Sequence, residues 1–107
     1  MAPRGLPTLH SIRKVIQDWA AYYGVDPDFL LCIAGRESGL SRTALGKNGE
    51  VGLFQFMDVS WVLVRKAMGL LTWTWLRLDV GESARTAAYA IGVLDLARWW
   101  STRGECE

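Results

Sequence analysis

Asp26-Pro27-Asp28-Phe29-Leu30-Leu31-Cys32-Ile33-Ala34-Gly35-Arg36-Glu37-Ser38-Gly39 is the stretch on which the fold turns. Asp26 before Pro27 is a helix start signal: a capping acid, then a proline where a helix tolerates its missing N–H. From Phe29 to Ala34 the chain is apolar nearly all round, which suits a central helix buried by its neighbours. That helix is predicted to run to about Arg36 or Glu37. Gly39 to Asn48 then reads as loop, and Gly46-Lys47-Asn48-Gly49 is a strong turn cluster.

Upstream, Ile12, Val15, Ile16, Trp19 and Tyr23 recur at helical spacing, predicting a helix from about Thr8 to Tyr23 that ends at Gly24. Residues 1–7, with two prolines, read as an extended and flexible lead-in. Downstream, Val51 to Met57 is a short apolar run, strand or irregular. Asp58 or Ser60 is expected to cap a third helix through Met68, closed by Gly69. Leu70 to Leu78 is ambiguous, since Trp73 and Trp75 alternate with Thr72 and Thr74 in a strand-like period. Asp79 and Glu82 have the spacing of an acid-type capping box. They open a last helix to about Trp100, with Ala84, Ala87, Ala88, Ile91 and Leu94 on one face. Residues 101–107 read as a polar, flexible tail. The expectation is one mostly α-helical domain over residues 1–107, with a short strand or irregular segment beside any cleft.

Bulk properties narrow the function. Half of the 107 residues are hydrophobic and 21% are charged, enough apolar surface for one core and too mixed a charge for a disordered chain. The net charge is +1 and the arginines are scattered, so nucleic acid is not an expected partner. No run approaches the ~20 apolar residues of a membrane span, and the start lacks the apolar segment of a secretory signal. The chain is therefore expected to be made in the cytoplasm and to act as a monomer. Cys32 is expected to pack as a small hydrophobe and Cys106 to lie on the tail, a bridge between them being the disfavoured reading. No Cys/His cluster suggests a metal, and no cofactor is expected. His10 is expected on the surface of the first helix.

Glu37 is the candidate catalytic residue. Helical spacing puts it on the face of Ile33, four back, and Leu30, seven back. An acid in register with core residues is pushed toward low dielectric, which favours the protonated form a general acid must hold. A helix-terminal acid turned into solvent is the competing reading. Gly49 and Gly52 allow a close backbone approach. Gln55, between Phe54 and Phe56, is an amide in an apolar run that needs partners, either backbone or a ligand.

Glu37-Ser38-Gly39-Leu40, Ala44, Gly49, Val51-Gly52-Leu53-Phe54-Gln55 and Met57 resemble the soluble lytic transglycosylase and goose-type lysozyme-like family. That family's signature is Glu-Ser, a hydrophobic residue, an alanine, then Gly-Ala-x-Gly-Leu-(Met/Phe)-Gln-x-Met, and the spacing agrees without a gap. The resemblance is dense over residues 29–61 and weaker over Asp79–Leu94. It implies a lysozyme-like α-helical fold and cleavage of the peptidoglycan glycan strand between N-acetylmuramic acid and N-acetylglucosamine. It casts Glu37 as catalytic acid and then base, Ser38 as a residue that orients the acid or its loop, and Phe54 and Gln55 as cleft residues. One carboxylate suffices where the substrate's acetamido group assists.

This chain departs from the pattern in several places. Glu50 stands where a small residue is common, either as a second cleft carboxylate favouring hydrolysis or as a solvated loop acid. Asp58 replaces an expected proline after Met57. Val80 and Ser83 stand for the proline and asparagine of an Asp-Pro-x-x-Asn block. The later Ala-Tyr-Asn-Ala-Gly block is absent, leaving Tyr89 as a substitute for its cleft tyrosine. Six tryptophans offer faces for sugar stacking. Trp19, Trp61 and Trp99 read as core, and Trp73 and Trp75 as candidate cleft walls.

Together these features predict a muramidase domain of the phage or prophage endolysin type, reaching the wall through a membrane lesion made by another protein. The alternative is a catalytically inactive helical module that binds glycan or assembles into a larger structure.

Overall fold

A computed structural model describes residues 6–107; of the expected lead-in over 1–7, the first five residues lie outside them. Four α-helices carry the fold: α1 over Leu9–Tyr22, α2 over Pro27–Ser38, α3 over Asp58–Met68 and α4 over Val80–Gly92. Short 3-10 turns cover Thr74–Leu78, Ala97–Trp99 and Ser101–Cys106. Among the described residues there is no named strand, only isolated bridges pairing Val51 with Leu45 and with Phe56. No helix among them is long and apolar enough to cross a membrane.

Local signals set the helix ends. The Thr8 hydroxyl accepts from the Ser11 amide at 3.0 Å, and Asp26 accepts from the Asp28 amide at 2.9 Å ahead of Pro27. Gly39 and Gly69 close α2 and α3 in the left-handed conformation, with φ of 63° and 72°. Asp79 caps α4 by accepting from the Glu82 amide at 2.8 Å. The reciprocal half of that capping box is missing, because the Glu82 carboxylate turns to the buried Arg65 at 2.8 Å. α3 has no side-chain cap: Met57 is its N-cap residue, and Asp58 pairs with Arg77 instead.

The core is built where α1, α2, α3 and α4 meet the loop between α2 and α3. Ile16, Leu30, Ile33, Leu53, Phe54, Trp61, Val64 and Ala87 are all fully buried. α4 buries Val80, Ser83, Ala84, Thr86, Ala87, Ala88 and Ala90. Its small side chains let it lie against α1, α3 and the Thr74–Leu78 turn. α2 sends Leu30, Ile33 and Ala34 into this core, while its opposite side, with Cys32, meets the Ser101–Cys106 turn.

The structure corrects three expectations. The last helix stops at Gly92 rather than near Trp100, because the chain turns away through Asp95, at φ 57°; Gly92 itself lies so close to the Tyr23 carbonyl oxygen that a Cβ would collide with it. The Leu70–Leu78 run is coil followed by a 3-10 turn, with no strand despite its alternation. Residues 101–106, expected as a loose polar tail, form a 3-10 turn whose Cys106 is disulfide-bonded to Cys32.

Candidate active site

Glu37 is the penultimate residue of α2. Leu30 and Ile33 on its helix stripe are buried, but Glu37 itself is half-buried, because α2 ends beside an open hollow instead of beneath another element. That hollow, about 100 Å³, is lined by Glu37, Phe54, Gln55, Phe56, Met57, Ser60, Trp99 and Trp100. A second depression of about 330 Å³ shares Met57 and Ser60 and continues past Asn48, Gly49, Asp58 and Val59. The two depressions thus adjoin at Met57 and Ser60, at the start of α3.

The wall opposite Glu37 is the loop that contains Gly49–Met57. Its shape depends on Arg77, 8% exposed, whose guanidinium donates to the carbonyls of Phe56 at 2.8 Å and Gly49 at 3.3 Å. The same group holds the Asp58 carboxylate at 2.6 Å. Gly52 sits at φ 88°, and a Cβ there would collide with the Arg77 carbonyl oxygen. Glycine is what allows the loop to lie against the Thr74–Leu78 turn. Gln55 is in the left-handed region at φ 55°, a conformation a non-glycine residue holds only when its surroundings insist. Its side-chain amide donates to the carbonyls of Gly52 at 2.9 Å and Ala44 at 3.1 Å, so the half-buried amide is satisfied by backbone while the residue still lines the hollow.

The remaining predicted residues divide. Phe54 is fully buried and forms part of the lining, and its carbonyl accepts from the Trp100 indole at 2.9 Å. Ser38 faces its own helix, its hydroxyl donating to the Ala34 carbonyl at 3.0 Å. Glu50 belongs to the turn cluster: its carboxylate accepts from the Asn48 amide at 2.6 Å, and it is absent from the lining of the hollow. Tyr89 is also outside the lining. Its ring meets Tyr23 edge-on at 5.4 Å and its hydroxyl donates to the Ala67 carbonyl at 3.4 Å. Trp73 and Trp75 stack on each other at 5.7 Å and stand 53% and 60% exposed, away from the lining.

Sequence patterns did not single out Met57 or Ser60 as lining residues, or the C-terminal segment as a wall. Trp61 is core as expected and Trp19 is half-buried against it, but Trp99, expected in the core, lines the hollow at 38% exposure. Thr102 lies in the segment expected to be a tail, and its hydroxyl donates to Glu37 Oε2 at 2.7 Å. The one sequence signal for this placement was the cysteine pair. Cys32 precedes Glu37 by five residues and Cys106 follows Thr102 by four, so bridging the cysteines brings the other two together.

Comparison with protein families matches residues 14–94 to the transglycosylase SLT domain, a family of lytic transglycosylases that act on peptidoglycan. The match runs from within α1 through α4, including Glu37 and the Gly49–Met57 loop, and stops before Trp99, Thr102 and Cys106. No curated protein matches the chain significantly.

Proposed function

The chain belongs to the transglycosylase SLT domain family, and from that premise we propose that it cleaves the β-1,4 bond between N-acetylmuramic acid and N-acetylglucosamine, with Glu37 as general acid and then base. The observation that carries this reading is that Glu37 is the one carboxylate among the residues lining the hollow. Glu50 is committed to its turn and Asp58 to Arg77.

A single acid constrains the chemistry. Glu37 gives its proton to the glycosidic oxygen as the bond from that oxygen to the muramic anomeric carbon breaks. The cationic character that develops at the anomeric carbon needs a partner on the opposite face. With no second carboxylate in the hollow, the muramic acetamido oxygen supplies it, a substrate-assisted route. The Glu37 carboxylate then takes the proton of the muramic 6-hydroxyl as that oxygen bonds to the anomeric carbon and displaces the acetamido oxygen from it. The product is a 1,6-anhydro end, and no external water is consumed. The two adjoining depressions that share Met57 and Ser60 offer places for successive sugars of a glycan strand, with the partly exposed Trp99 available to stack on a sugar face.

The place of action is the cell wall, in the manner of a phage or prophage endolysin. The Cys32–Cys106 bridge supports a site outside the reducing cytoplasm. The test is digestion of purified peptidoglycan with mass spectrometry of the fragments. Wild type should release anhydro-muramic ends and Glu37→Gln none, while remaining folded. Reducing ends would replace the intramolecular route by hydrolysis. A wild type that cuts no peptidoglycan chemotype, or a Glu37→Gln that retains activity, would remove the enzymatic reading. Binding retained without cleavage would favour a glycan-binding module.

A further inference from the structure

We propose that Thr102 is a positioning residue for Glu37 and that the Cys32–Cys106 bridge keeps it in place. The inference rests on the reading of Glu37 as the acid, and it concerns a segment beyond the residues that match the family.

The Thr102 hydroxyl donates to Glu37 Oε2 at 2.7 Å, the only hydrogen bond to this carboxyl among the described residues. One oxygen is therefore held, and Oε1 is left to carry the proton to the glycosidic oxygen. The same donor suits both halves of the reaction. It bonds to the carbonyl oxygen of the protonated acid, then to the carboxylate, where the bond is charge-assisted and stronger. A threonine is suited to this task because its branched side chain has few rotamers to lose.

Nothing local would hold Thr102 there. Its 3-10 turn, Ser101–Cys106, is a short element with poor hydrogen-bond geometry of its own. It is fastened at both ends. Trp100 is 5% exposed, with its indole bonded to Phe54, and Cys106 is joined to Cys32 one helix face away from Glu37. The exposed Arg36–Glu105 pair at 3.3 Å adds little to this hold. When the bridge is reduced, the C-terminal fastening is lost and the hydroxyl is free to leave the carboxyl.

The variants are Thr102→Val, which keeps the shape and removes the donor, and Thr102→Ser, which restores it. Each is assayed on peptidoglycan, oxidised and after dithiothreitol. The Glu37 carboxyl carbon is followed in 13C-labelled protein, its resonance assigned by its loss in Glu37→Gln. Thr102→Val should lower kcat by about tenfold or more with KM within about twofold, and Thr102→Ser should recover most of it. Reduction should lower kcat in wild type but add little in Thr102→Val, because both remove the same contact. The Glu37 resonance should move in Thr102→Val and in reduced wild type, and stay in place in Thr102→Ser.

An active wild type with unchanged kcat in Thr102→Val, or an unmoved resonance, overturns the role of Thr102. A further large loss on reducing Thr102→Val overturns the link to the bridge. An inactive wild type whose resonance still moves in Thr102→Val instead overturns the enzymatic reading of Glu37, so the two failures are distinguishable.

Discussion

The indole N–H of Trp100 donates to the carbonyl oxygen of Phe54 at 2.9 Å, joining residues 46 apart in the chain. The Trp100 ring also meets Phe56 edge-on at 5.5 Å. One buried side chain thus ties the C-terminal segment to the loop that forms the opposite wall of the cleft. Trp99, its neighbour, lines the hollow and is 38% exposed.

These adjacent tryptophans should respond differently to truncation. Trp100→Ala removes a buried ring and leaves the Phe54 carbonyl unpaired, so it should cost about 3–5 kcal/mol. Trp99→Ala should cost far less stability and instead raise KM severalfold for peptidoglycan. Urea unfolding and steady-state kinetics on both variants check the contrast, and equal losses of stability would contradict it.

Gly52 should not tolerate a side chain. Gly52→Ala places a Cβ against the Arg77 carbonyl oxygen in a left-handed conformation that alone costs about 1–2 kcal/mol. A lowered melting temperature together with weakened activity is expected, since the same loop carries Gln55 and Phe56. An unchanged melting temperature would show that the loop relaxes freely.

Arg77 and Asp58 form an ion pair whose two members are not equivalent. Arg77→Met withdraws donors from the Phe56 and Gly49 carbonyls and should destabilise by about 2–3 kcal/mol. Asp58 is 69% exposed, so Asp58→Asn should cost less than about 1 kcal/mol. Chemical denaturation of the two variants separates a clamp on the loop from a simple surface pair.

Reduction of the Cys32–Cys106 bridge should lower stability by at most about 4.5 kcal/mol, the chain-entropy limit for a loop of this length. The bridge spans a sequence separation of 74 residues. Thermal unfolding of the oxidised protein and of Cys106→Ser measures it. Identical midpoints would mean that the C-terminal segment unfolds separately from the core.

Trp73 and Trp75 stand outside the lining of the hollow, so Trp75→Ala and Trp73→Ala should leave kcat on soluble glycan fragments within about twofold. Their mutual stacking contributes about 1 kcal/mol beyond the surface they bury, so either variant should also lose some stability. The Trp61 indole bond at 3.0 Å survives Trp73→Ala, because its acceptor is the Trp73 backbone carbonyl. A large kcat loss in either variant would extend the cleft toward this pair.

What the sequence by itself determined is local. Asp26-Pro27 and Gly39 bracket α2, Gly69 closes α3, and Asp79 caps α4, because each of these choices is made between residues a few positions apart. Glu37, Gln55 and Phe54 could be chosen because a motif within about twenty residues carries them. The tertiary structure alone decided what lies around Glu37. It packed Tyr89 against Tyr23, and it brought Trp99 to the hollow and Thr102 to the Glu37 carboxyl. Helical periodicity says which face of a helix is apolar but not which distant segment will cover it. The sequence separation of 65 from Glu37 to Thr102 is closed by the packing of Trp100 and by the Cys32–Cys106 bond, both contacts between segments far apart in the chain.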